Sequence, residues 1–153
     1  MKPRITLAET THEDGSPLEL QEHDGRRYLL VHGQQICGPA TRATEEELAK
    51  LAAVPFRPAR QPRIWMVGLG LGHMLEAIIK ELPQKRAVYT VAESRSELID
   101  WNREFFPETP LGDSRVVIES DTGANALNKQ SGCLNAIMIH LDSAPLGSKG
   151  RLF

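Results

Sequence analysis

The chain has 153 residues, a net charge of −2, 41% hydrophobic and 25% charged side chains, the composition of one globular domain or of a small module joined to one. That balance gives no electrostatic reason for nucleic acid or an anionic membrane as partner, and the longest apolar runs, such as Ala136 to Ile139, are far too short to span a bilayer. Met1-Lys2-Pro3-Arg4 opens no secretory signal, and Cys37 and Cys133, far apart and without clustered His or Cys partners, read as two buried thiols, so the expectation is a cytoplasmic, metal-free protein.

Leu18-Glu19-Leu20-Gln21 alternates apolar and polar residues, the period of a half-buried strand. Asp24-Gly25 follows as a two-residue hairpin turn, because both residues tolerate positive φ. Arg27 to Val31 is then the return strand, and His32-Gly33 begins another turn before Gln35-Ile36-Cys37. Thr44 and Glu47 have the spacing of a capping box, which predicts a short helix with Leu48, Leu51 and Ala52 on its inner face. Glu45-Glu46-Glu47 reads as the acidic amino-terminus of that helix, favoured by the dipole. Pro55, Pro58 and Pro62 interrupt the chain. Residues 1–54 are therefore expected to form a β module with a short helix, and 63–153 a second unit.

In that unit Ile64-Trp65-Met66-Val67 is a continuous apolar run, as a buried parallel strand is. Met74, Leu75, Ile78, Ile79 and Leu82 recur at helical spacing until Pro83. Ala87 to Ala92 is the next strand. Ser94 and Glu97 have capping-box spacing ahead of a helix that turns Leu98, Trp101 and Phe105 inward. Arg115 to Glu119, a short helix over Gly123 to Lys129, and the strand Asn135 to Leu141 complete the pattern. Alternating β and α at these lengths predicts an α/β parallel sheet, preceded by a small antiparallel β module. A complete fold of this class has roughly three more strands. Either the sequence is a piece of a longer chain, or the sheet is completed by pairing, and a homo-oligomer is expected.

Gly68-Leu69-Gly70-Leu71-Gly72 stands between the first of these strands and its helix. Glycines let a backbone turn sharply and approach a ligand, and the helix amino-terminus behind them offers free N–H groups. Dinucleotide-binding dehydrogenases space the motif G-x-G-x-x-G. Here the third glycine comes one residue early, with His73 at the dehydrogenase position, which favours S-adenosylmethionine-type nucleosides over NAD. Glu93, 25 residues past Gly68 and directly after the second strand, can accept hydrogen bonds from both ribose hydroxyls. Asp121 follows the third strand, where a carboxylate can accept from an adenine amino group or cap the next helix. His140 closes the fourth strand, where an imidazole can serve as a base or as a structural group.

On these residues the chain resembles spermidine synthase-like proteins, the polyamine aminopropyltransferases of the class I S-adenosylmethionine-dependent methyltransferase fold. Leu69 to Asn102, with its Trp101-Asn102 pair, is similar to that family's nucleoside half. Asp24-Gly25-Arg26-Arg27-Tyr28 is similar to its amino-terminal β module. The resemblance, from about Leu18 to Pro145, implies a Rossmann-like fold that uses decarboxylated S-adenosylmethionine, or S-adenosylmethionine, as a substrate, with a polyamine as acceptor. It implies nucleoside contacts at Gly68, Gly70, Gly72, Glu93 and Asp121, and catalytic roles for His140 and Asp142. Departures fall on the acceptor side. Leu71 and His140 stand where the family has acids, and Asp142 matches only the two-apart spacing of the divergent branch. The hairpin glutamine is Gln35, or Ile36 in an ungapped match. Methyl transfer and a non-catalytic nucleoside-binding or assembly role are the alternatives on the same fold.

Overall fold

The computed structural model describes residues 3–11 and 15–140. Four strands, β1 (Ile5–Thr11), β2 (Pro17–His23), β3 (Arg26–Val31) and β4 (Gln34–Cys37), form an antiparallel sheet in chain order. Two turns set its register, Asp24-Gly25 and His32-Gly33, with φ of 50° and 74° in the first and 51° and 70° in the second. Paired positive φ values match the twist of the flanking strands, so His23 faces Arg26 and Val31 faces Gln34. The alternation seen in β2 places Leu18 and Leu20 on one fully buried face. β1 was not expected from sequence. It is an edge strand, mostly exposed, with an irregular pairing between Thr6 and Ala8 that breaks the period of two.

The first helix, α1 (Pro39–Ala53), starts earlier than its sequence suggested. Pro39 occupies the first helical position, where a missing N–H costs nothing. Thr41 Oγ1 accepts from the Gly38 amide at 3.0 Å and donates to the Gly38 carbonyl at 2.9 Å. Thr44 and Glu47 therefore lie inside the helix and cap nothing. The buried face is Glu45, Ala49 and Ala53, four residues apart, and Leu51 is 65% exposed rather than inward.

After a 3-10 turn at Val54–Phe56, β5 (Arg63–Val67), β6 (Val88–Ala92), β7 (Val116–Glu119) and β8 (Ala136–Ile139) form a parallel sheet in the order β7-β6-β5-β8. Helices α2 (His73–Glu81), α3 (Ser96–Phe105) and α4 (Gly123–Asn128) connect them. On one face, Ile64, Met66, Tyr89, Val91 and Met138 pack with Leu75 and Ile78 of α2 and with Ala49 and Ala53 of α1. On the other, Trp65 and Ala92 pack against Ala126 of α4. The antiparallel sheet rests on this half, with Leu18, Leu20 and Leu29 against Leu71 and against Leu98 and Trp101 of α3. The Ser94–Glu97 capping box does not form. The helix begins at Ser96, and the Arg95 amide donates instead to Glu93 Oε1 at 2.9 Å.

Cys37 is buried but Cys133 is exposed, which corrects the expectation of two buried thiols; neither forms a disulfide among the described residues. Among the described residues no helix is long and apolar enough to cross a membrane. Ile78→Ala should cost about 2–5 kcal/mol of stability, as large-to-small changes in a packed core do, whereas Leu51→Ala should change it by less than about 0.5 kcal/mol. Urea unfolding of both variants checks this, and a comparable loss at Leu51 would place that side chain in the core.

Candidate functional site

The sequence Gly68-Leu69-Gly70-Leu71-Gly72 turns the chain from β5 into α2 with three positive φ values, 79° at Gly68, 52° at Gly70 and 81° at Gly72. Leu69 and Leu71 point into the two cores. A Cβ at Gly72 would lie 2.9 Å from Asn102 Oδ1 and one at Gly70 3.2 Å from Cys37 Sγ, while at Gly68 it would meet nothing within 4 Å. Gly68 thus leaves an open approach to the backbone at the end of β5. Its amide donates to the Ala92 carbonyl at 2.8 Å, which aligns the ends of β5 and β6.

Glu93 follows β6 and is 6% exposed. Its Oε2 accepts from the Leu69 amide at 2.9 Å, inside the glycine turn, and its Oε1 from the Arg95 amide. From α3, Asn102 Nδ2 donates to the Gly70 carbonyl at 2.9 Å and to the Leu98 carbonyl at 2.8 Å. The turn is therefore clamped by an acid on one side and an amide on the other. Asn102 had figured in the sequence only as a mark of resemblance; the clamp could have been sought there as a polar residue among the inward positions of α3.

Asp121 lies beyond β7, and its carboxylate accepts from three donors of its own neighbourhood. Oδ2 meets Lys129 Nζ at 2.5 Å, and Oδ1 accepts from Asn125 Nδ2 at 3.0 Å and the Thr122 amide at 2.8 Å. The Lys129 ammonium, the Asn125 amide and the Thr122 amide together lower its pKa to about 2. Thr122 is the cap of α4, accepting from the Asn125 amide.

His140 directly follows β8. Because Val67 pairs with Ile139 in register, the next residues, Gly68 and His140, leave the sheet side by side. Asp142 lies outside the described residues. The carboxylate that the structure does bring to this corner is Glu45, 5% exposed; its reading as part of an acidic helix amino-terminus is corrected, because α1 starts at Pro39 and has no acid in its first turn. Its Oε2 is 3.2 Å from His73 Nδ1 and its Oε1 3.9 Å from His140 Nδ1. Its four-residue spacing with Ala49 and Ala53 was the available signal, legible once α1 is started at Pro39. Among the described residues no group of three or more His, Cys, Asp or Glu is arranged to hold a metal.

A cavity of about 630 Å³ opens on the α2–α3 side of the turn, walled by Arg26, Arg42, Leu71, His73, Asn102 and Phe106 among others. Of the expected site residues Gly72 lines it, and Gly68, Gly70, Glu93, Asp121 and His140 do not. The far end of the glycine turn thus borders this cavity, while Gly68 and Glu93 at the strand ends lie outside its lining.

No protein-family model matches the chain, and no curated protein matches it. Solved structures do. The chain is similar to spermidine synthase from Thermotoga maritima, with a TM-score of 0.71 and 17% identity over 90% of this chain and 46% of that one. A spermidine synthase in complex with the transition-state analogue AdoDATO gives a TM-score of 0.71 at 17% identity, over 90% and 47%. A probable spermidine synthase from Corynebacterium glutamicum gives 0.61 at 19%, over 88% and 52%. The chain spans about half the length of these structures, and its fold is spermidine synthase-like, of the class I methyltransferase type.

Two carboxyls are held near pH 2 in the folded state, Asp121 by Lys129 and Asp113 by Arg115. A folded-state pKa below the ordinary value of 3.8 stabilises the fold above pH 3.8, and the benefit is lost as pH falls through about 2. The urea midpoint should therefore drop between about pH 4 and pH 2, less steeply in Asp113→Asn and Asp121→Asn. Identical pH slopes in wild type and both variants would remove these pairs from the acid response.

Proposed function

We propose that the crevice at the carboxyl ends of β5 and β6 binds the nucleoside of decarboxylated S-adenosylmethionine, or of S-adenosylmethionine, and that the chain is a divergent, cytoplasmic aminopropyltransferase-like protein. One observation carries this reading. Glu93 is buried at the strand end with each oxygen accepting one backbone amide. An ionised carboxylate has about four acceptor sites, so both oxygens keep capacity for a ribose diol. The uncluttered backbone at Gly68 supports close approach, and the shared fold with a synthase crystallised with AdoDATO adds to it. Asp121 would serve the adenine amino group by sharing the carboxylate that now holds Lys129 and Asn125.

Calorimetric titration with methylthioadenosine, S-adenosylmethionine and its decarboxylated form tests the reading. Glu93→Ala should weaken methylthioadenosine by about 1.5–3 kcal/mol, the scale of hydrogen bonds to a charged group. Unchanged affinity would take Glu93 out of the site, and tighter binding of S-adenosylmethionine than of the decarboxylated form would turn the reading toward methyl transfer.

The acceptor side sets a second expectation. A diamine carries two positive charges and needs a carboxylate near each end. Leu71, 4% exposed, and His140 offer none. Losing two charge-assisted contacts at about 1.5–3 kcal/mol each removes a factor of roughly a hundred or more. Putrescine should therefore be a poor acceptor in an assay with decarboxylated S-adenosylmethionine, and His140→Asp should improve it. Rapid wild-type turnover of putrescine would show that the acceptor site is built otherwise.

A further inference from the structure

Three elements converge on one buried carboxylate. Glu45 comes from the inner face of α1, His73 is the first residue of α2, directly after the glycine turn, and His140 leaves the end of β8 beside Gly68. Both imidazoles are largely covered, with side chains 13% and 18% exposed. An ionised carboxylate only accepts hydrogen bonds, so a bond across the 3.2 Å between Glu45 Oε2 and His73 Nδ1 requires the ring proton on Nδ1 and leaves Nε2 as the acceptor nitrogen. A buried carboxylate is costly without a cation near it. The guanidinium closest in sequence, Arg42, is committed elsewhere, to Glu46 at 2.7 Å and Glu76 at 3.5 Å. Arg42, Glu46 and Glu76 also contribute the remaining charges around this corner. Among the described residues Arg42 also acts on Glu45 through its charge, while the His73 and His140 imidazoles are the groups able to carry positive charge that approach it within 4 Å.

We infer that Glu45, His73 and His140 form a single proton-sharing unit that deprotonates the acceptor, and that the acceptor is a nucleophile with at most one cationic end, a monoamine or a hydroxyl. This rests on the sulfonium-donor reading above. In the step itself the acceptor's N–H or O–H proton passes to the His140 ring. The freed lone pair forms a bond to the carbon next to the sulfonium, and the C–S pair returns to sulfur as a neutral thioether. Glu45 holds the imidazolium so produced. His73 shares that carboxylate and also borders the 630 Å³ cavity, which gives the proton a way out on the far side of the turn. A second ammonium on the acceptor would meet an imidazolium rather than a carboxylate, which is why the diamine is disfavoured.

The test is a 15N-histidine correlation spectrum of the full chain, with calorimetry of methylthioadenosine on the same samples. Above neutral pH, His73 is expected in its Nδ1–H form in the wild type and in the Nε2–H form in Glu45→Leu, with the His140 signals displaced as well. Unchanged patterns at both rings in Glu45→Leu overturn the unit. Should that variant fail to fold, His140→Gln is read at His73, and a His73 pattern indifferent to the loss of His140 overturns it equally. With decarboxylated S-adenosylmethionine as donor, kcat for propylamine should fall about 100-fold in Glu45→Leu, the lower range for a lost general base, with methylthioadenosine affinity within about twofold of wild type. Faster turnover of putrescine than of propylamine overturns the acceptor class. A wild type that binds no methylthioadenosine but keeps the Nδ1–H form of His73 sinks the donor reading and leaves the histidine–carboxylate unit standing.

Discussion

Between Gly68 and Gly72 the backbone takes three left-handed steps within five residues, a path open to glycine and, because glycine is so permissive, one whose single conformation gains from contacts made by other elements. Two side chains supply them. Glu93 pins the Leu69 amide from the end of β6, and Asn102 pins the Gly70 carbonyl from α3. Neither is on the surface, so both contacts work at low dielectric, where hydrogen bonds are strong and their loss is costly. The open crevice at the end of β5, the start of α2 and hence the placing of His73 all follow from that clamp. So does the seat of the small antiparallel sheet, since Leu71 leaves the turn to join Leu18, Leu20 and Trp101.

On the proposed reading, the same arrangement separates a nucleoside half from an acceptor half. The nucleoside half keeps what a class I fold uses, a glycine turn and an acid at adjacent parallel strand ends. On that reading the acceptor half differs from the family pattern that the sequence resembles. Where carboxylates would face a polycation, Leu71 is buried in a core and His140 faces a carboxylate delivered from a different element, α1. A fold does not dictate its chemistry, and here the backbone likeness to spermidine synthases coexists with a changed pattern of charge at the point where an acceptor would enter.

Much of the fold could be read from residues whose local demands have few solutions. Asp24-Gly25 and the glycines after β5 need positive φ, and continuous apolar runs such as Ile64 to Val67 have to be buried on both faces. What could not be read depended on competition or on distant neighbours. Thr44 and Glu47 spell a cap as well as Gly38, Pro39 and Thr41 do, and only the earlier start buries Ala49 and Ala53. Ser94 and Glu97 do not frame a cap, because α3 begins at Ser96 and Glu93 holds the Arg95 amide just before it. β1 is exposed and irregular, with no clean alternation to find. The role of Glu45 required knowing that the ends of α1, α2 and β8 meet. Nothing within three consecutive glutamates singles out the first.

The two alanines on the inner face of α1 have a meaning beyond filling space. Ala49 and Ala53 are fully buried against the core under α2, so single methyl groups govern how near the two helix axes lie. Glu45 is carried on the same face, one turn before Ala49. The reach of its carboxylate toward His73 and His140 is therefore a packing quantity, fixed by side-chain volumes one and two turns away rather than by any residue at the corner itself. In this molecule the position of a charge is calibrated by the thickness of a hydrocarbon layer.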